Sequence, residues 1–80
     1  MNEARFTSLQ GQYLAFIAAY LKLNRTAPAE ADMGRYFQVS PASVHEMLLR
    51  LERRGLIRRS PWQARSVEVL VPDDQLPRLA

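Results

Sequence analysis

Ser40-Pro41-Ala42-Ser43-Val44-His45-Glu46-Met47-Leu48-Leu49-Arg50-Leu51-Glu52-Arg53-Arg54-Gly55-Leu56-Ile57 is the stretch that decides the fold of this 80-residue chain. Ser40 is a good helix N-cap, because its hydroxyl can accept from a free backbone N–H. Pro41 then stands at the first helical position, where its missing N–H costs nothing. Val44, Met47, Leu48 and Leu51 follow at i, i+3, i+4 and i+7, which makes one buried stripe. Arg53 and Arg54 fall in the last turn, where cations favour the helix dipole. Gly55 supplies a left-handed residue that ends the helix, and Leu56 can pack back on Leu51. With that stripe turned inward, about 100° of rotation per residue points Ala42, Glu46, Leu49 and Arg53 outward. His45 flanks them on one side, with Ser43 and Arg50 on the other.

Upstream, Thr7 and Gln10 have capping-box spacing and open a first helix. Its apolar stripe is Leu9, Tyr13, Phe16, Ile17 and Tyr20, widened by Leu14, Ala18 and Leu21. The helix is expected to end near Leu23 or Asn24, because Pro28 forbids continuation. Pro28 is then expected to begin a short second helix, with Glu30 and Asp32 in its first turn and Met33, Tyr36 and Phe37 on its apolar side. Gly34, inside that helix, suggests close approach of another helix. Gln38-Val39-Ser40 is a turn of helix-turn-helix length. Downstream, Leu56 to Arg59 and Ser66 to Val71 read as strands joined by a turn from Ser60 to Arg65. Pro72 stops the second strand, and residues 72–80 read as a flexible C-terminal flank in which Leu76 and Leu79 can dock. The expected architecture is one domain over residues 1–80, mainly α with a small β-hairpin. Its order is α-α-α-β-β, a three-helix winged helix-turn-helix.

Composition narrows the function. With no cysteine, disulfides, thiolate metal sites and a cysteine nucleophile are excluded, and the single histidine cannot complete a zinc finger. The longest apolar run, Tyr13 to Leu21, is nine residues. A membrane span needs about 20. The N-terminus lacks the order of a signal peptide, so a cytoplasmic protein with no membrane partner is expected. There is no glycine-rich phosphate loop, and the acidic residues show no paired spacing. No enzyme, cofactor or metal is expected. The chain carries +3 overall with a pI near 10.0. Residues 50–66 alone hold six arginines against one glutamate, a local charge of +5. An arginine fork suits phosphate oxygens and base edges, so this stretch points to nucleic acid.

The run from Phe16-Ile17 through Pro28 and on from Ser40 to Ile57 resembles the N-terminal DNA-binding domain of LexA repressors. The best-matching features are Ser40-Pro41, Leu48 and Leu51, and Gly55-Leu56-Ile57, with Ala64-Arg65-Ser66-Val67 similar to the wing's return strand. The resemblance covers roughly residues 6–71. It implies a bacterial transcriptional regulator and puts base-reading positions at Ala42, Ser43, His45 and Glu46. Those identities differ from a typical LexA repressor, so its operator sequence does not transfer. Gln38 stands where the family often has Gly, and Ala29 where it often has Ser or Thr. The peptidase domain of such repressors has no counterpart in these 80 residues.

The expected partner is double-stranded DNA, with the third helix (41–54) in the major groove and the wing (58–66) on the backbone or minor groove. The candidate contact residues are Ser40, Ala42, Ser43, His45, Glu46, Arg50, Arg53, Arg58, Trp62 and Arg65. Serine can donate to or accept from several base edges, and glutamate accepts from cytosine N4. Arg50, Arg53 and Arg58 read as phosphate clamps ahead of Arg54 and Arg59, and Arg65 as a backbone or minor-groove contact. Trp62 either wedges at the sugar–phosphate edge or folds onto the wing's base. Leu49 either meets a thymine methyl or covers a neighbouring element. A weak homodimer is expected, with the edge Leu14, Ala18 and Leu21 as its seam ahead of the tail with Leu76 and Leu79; that edge either forms the seam or packs under the wing. The alternative function is a winged helix turned protein–protein module, which an outward Leu49, Trp62 and Glu46 would also suit.

Overall fold

The computed structural model describes residues 5–60 and 66–80. Helix α1 spans Ser8–Asn24, α2 Glu30–Phe37 and α3 Pro41–Arg53. Strands β1 (Ile57–Arg58) and β2 (Glu68–Val69) form an antiparallel pair, with Ile57 opposite Val69 and Arg58 opposite Glu68. One 3-10 turn follows at Asp73–Gln75. This is the expected order of three helices and a hairpin. The strands are shorter than expected, although the Leu70 N–H donates to the Leu56 carbonyl at 2.9 Å and extends the pairing. The expected alternation survives: Val67 and Val71 are buried and Val69 half-buried, whereas Glu68 and Leu70 are exposed.

Local chemistry sets the helix ends. At α1 the box is closed: the Gln10 N–H donates to the Thr7 hydroxyl and the Thr7 N–H to the Gln10 side chain. At α3 the Ser40 hydroxyl accepts from the Ser43 N–H at 3.1 Å. The C-terminal end of α3 is a Schellman motif. Gly55, at φ 73°, donates to Glu52, and Leu56 donates to Leu51 at 2.9 Å. Pro28 is not the first residue of α2, as expected, but precedes its N-cap, Ala29. The Asp32 carboxylate accepts the Ala29 N–H at 2.9 Å and takes over the role a serine cap would fill. This bond fixes the start of α2 two residues beyond the proline.

The core lies where the three helices meet the hairpin. Leu14, Ile17, Met33, Val44, Leu48, Leu51, Leu56 and Ile57 are all essentially inaccessible to solvent. Burial also raises the Tyr13 phenol above its ordinary pKa of 10.0, so the ring stays neutral. One expectation for α1 needs correction. Leu9, placed in the core stripe, is 52% exposed. Leu14 belongs to the core and Leu21 packs against it, so of the two uses open to this edge Leu14 takes the packed one, while Ala18 and Leu21 are half-buried. Helix α1 contacts β2, so its apolar face also serves the hairpin side of the core. The segment 72–80 lies against α1. Leu76 packs on the core, and the Gln12 amide holds both the Arg78 carbonyl (2.9 Å) and the Ala80 N–H (2.7 Å).

The turn between α2 and α3 is tight. The Val39 N–H donates to the Gly34 carbonyl at 3.1 Å. A Cβ on Gly34 would stand 3.1 Å from the Val39 carbonyl and 3.8 Å from Val44. The close neighbour is therefore first the turn backbone and then α3. Gln38 carries the turn in the left-handed region, at φ 58°. A side chain there costs about 1 kcal/mol relative to glycine. Gln38→Gly is expected to raise the melting temperature by about 4–8 °C per kcal/mol gained. A thermal melt followed by circular dichroism checks this, and an unchanged or lower midpoint would show that the turn is not strained.

Candidate nucleic-acid interface

Helix α3 buries Val44, Leu48 and Leu51 and turns its opposite face to solvent. Ser40, Ala42, Ser43, His45, Glu46, Arg50 and Arg53 are all exposed. Ala42, Ser43, Glu46, Met47 and Arg50 together line a shallow hollow on the N-terminal half of the helix. Its rim offers a hydroxyl, a carboxylate and a guanidinium within two turns. That combination can hydrogen-bond donors and acceptors on base edges. The Ser40 hydroxyl donates to the Ser43 oxygen at 3.1 Å, which leaves the Ser43 proton free to donate outward. Glu46 and Arg50 have the spacing of a helical ion pair, yet among the described residues neither side chain has a partner. Both remain open to a ligand.

His45 is held by a residue that sequence reasoning read only as a complement to the helix dipole. Its Nδ1 lies 3.3 Å from the Glu30 carboxylate on α2. A neutral imidazole donating from Nδ1 presents Nε2 as an acceptor. Glu30 thereby orients the ring from the neighbouring helix. Fifteen residues separate the two, and no local pattern announces the contact.

The arginine cluster divides into three groups. Arg50 and Arg53 are exposed and, among the described residues, unpaired. Leu49, next to Arg53, is half-buried and lines a hollow with Arg53 and Glu52. Arg58, on β1, donates from Nε (3.1 Å) and Nη2 (2.6 Å) to Glu68 across the hairpin. Arg54 and Arg59 are engaged structurally. Arg54 donates to the Arg5 carbonyl at 2.7 Å. Arg59 reaches Glu52 at 3.1 Å and ties the hairpin to α3. These last two are the arginines ranked lowest as phosphate contacts from sequence. At the turn end of the hairpin, the Ser66 hydroxyl accepts the Ser60 N–H (2.8 Å) and donates to the Ser60 carbonyl (3.0 Å). This closes the two arms where the ladder has ended. Trp62 and Arg65, the remaining candidates, lie outside the described residues.

Comparison with known proteins agrees with this geometry. A family model described as the LexA DNA binding domain matches residues 3–66. The LexA repressor of Thermosipho africanus is 33% identical over 64 residues, which cover 80% of this chain and 32% of that protein. That of Exiguobacterium sibiricum is 37% identical over 68 residues, 84% of this chain and 33% of the repressor. That of Bacillus subtilis is 33% identical over 75 residues, 92% of this chain and 37% of the repressor. The chain thus spans about a third of the length of the curated relatives it matches. With three helices, a closed hairpin and an open arginine-bearing face on α3, the chain belongs to the LexA DNA-binding domain family.

Proposed function

We propose that this domain binds double-stranded DNA sequence-specifically in the cytoplasm, as the operator-reading part of a bacterial transcriptional repressor. The single observation that carries the reading is the outward face of α3. Apart from half-buried Leu49 it is exposed, its Glu46, Arg50 and Arg53 have no partner among the described residues, and its N-terminal half is fixed by the Ser40 cap. A helix presented this way fits the major groove, with its first two turns at base edges. Ser40, Ala42, Ser43, His45 and Glu46 then meet bases. Arg50, Arg53 and Arg58 hold phosphates, and Trp62 and Arg65 complete the wing's contact with the backbone or minor groove. Phosphate contacts set affinity and register, whereas base contacts set specificity.

Titration of random duplex DNA at low and moderate salt tests the reading. Weak association that falls steeply with salt is expected. Selection from a randomised duplex pool should then recover a preferred site. Absence of salt-sensitive association would instead favour a protein-docking module. A lone winged helix makes few base contacts, so two copies on two half-sites, as a weak homodimer, would give the required avidity. Sedimentation across a concentration series, with and without the selected site, tests that assembly. A chain that stays monomeric without DNA and binds the selected site as a single copy would sink it.

A further inference from the structure

We propose that Glu68 sets the DNA affinity of the hairpin by competing with backbone phosphate for the Arg58 guanidinium. The inference rests on the DNA-binding reading above. Arg58 and Glu68 are direct cross-strand partners, so the ladder itself keeps the carboxylate beside the fork. Nε and Nη2 both converge on one oxygen, Oε1. Among the described residues, Nη1 and the second carboxylate oxygen have no partner. A phosphate offers two oxygens to the same fork and matches it better.

Exposure makes the exchange possible. The two side chains are 68% and 57% exposed, and an ion pair in that setting is held weakly. The neighbouring Arg59 on the same arm behaves differently. The Arg59 side chain is only 23% exposed, and its pair with Glu52 bridges the hairpin to α3. Turning Arg59 outward would break that bridge, whereas Arg58 can turn outward with the fold intact. A hollow lined by Arg58, Arg59, Ser60, Ser66 and Glu68 opens beside the pair and gives an oxyanion access. Phosphates carry no sequence information, so Glu68 lowers affinity for every duplex by the same factor and leaves the preference among sites unchanged.

Glu68→Gln is the test, measured by fluorescence anisotropy on random and selected duplexes over a range of salt. The expected result is binding about two- to tenfold tighter at low salt, by one common factor for all duplexes, with the salt slope nearly unchanged because Arg58 holds the phosphate in both complexes. Asp74→Asn removes the same charge from the 3-10 turn and should gain much less. In nuclear magnetic resonance spectra, the Arg58 Nε–H signal of Glu68→Gln should move away from its parent position. With DNA bound, the parent and variant signals should coincide. A melting curve of Glu68→Gln close to the parent's establishes that the fold is kept. Unchanged affinity of Glu68→Gln, or an equal gain from Asp74→Asn, would overturn the proposal while leaving the DNA-binding reading standing. A parent chain with no salt-sensitive association would overturn both.

Discussion

Leu51→Ala should lower the stability of this domain by about 2–5 kcal/mol, as should Leu48→Ala. Both side chains are fully enclosed where α3 meets α1, α2 and the hairpin. Truncation removes the transfer energy of three carbons and leaves a cavity that a close-packed interior fills only in part. An 80-residue domain has little stability to lose, because it buries only about 60–65% of its unfolded surface. Each kcal/mol shifts the midpoint by about 4–8 °C at this size. Leu51 carries a further role, since its carbonyl accepts the Leu56 N–H that closes the helix. That bond is made by backbone and survives the substitution, so the loss is one of packing. Leu49→Ala is the control. Leu49 is half-buried at the rim of a surface hollow, and its truncation should cost under about 1 kcal/mol. Urea or thermal unfolding of the three variants separates the cases. Equal losses for Leu49 and Leu51 would mean that α3 presents a different face to the core.

The α3 segment was legible because each of its signals is local. The cap, the proline, the i, i+3, i+4, i+7 stripe and the closing glycine all lie within 17 residues of one another; backbone bonds answer the cap and the glycine, and burial answers the stripe. The start of α2 was not legible to the same degree. Proline at the first helical position and proline just before the cap look alike in sequence. What separates them is which carboxylate reaches the Ala29 N–H, and Asp32 does so. The width of the α1 apolar face could be read, but not its neighbour. A leucine such as Leu14 faces solvent or core depending on where a hairpin more than 40 residues away is laid down. The role of the acidic residues was the least legible. Glu30, Glu52 and Glu68 find His45, Arg59 and Arg58 at separations of 15, 7 and 10 residues. These pairs form between elements rather than along one, so no periodicity marks them. They also decide which basic groups stay free, which charge arithmetic over residues 50–66 could not do.

The largest expected effect on binding comes from Arg50 and Arg53, which have no partner among the described residues. Arg50→Ala and Arg53→Ala should each weaken association with all duplexes and flatten the salt dependence by about 0.9 in the slope of log K against log salt. The double variant should lose about 1.8, twice that value, if the two forks hold separate phosphates. Neither side chain has a partner to lose among the described residues, so neither change should disturb the fold. Arg54→Ala is the internal comparison. It removes the same charge from the same helix end, but its guanidinium is occupied by the Arg5 carbonyl. It should cost stability more than affinity. Glu46→Ala should behave differently from all three. Its carboxylate sits in the hollow at the N-terminal half of α3, where an acid can accept from cytosine N4 but is otherwise repelled by phosphate. Loss of that acceptor should shift base preference at one position by about 1–3 kcal/mol and leave the salt slope nearly unchanged. Anisotropy titrations on the selected duplex and on single-base variants resolve the two patterns. If Glu46→Ala tightened binding equally on every duplex, the carboxylate would only repel the backbone. Base reading would then fall to Ser43 and His45.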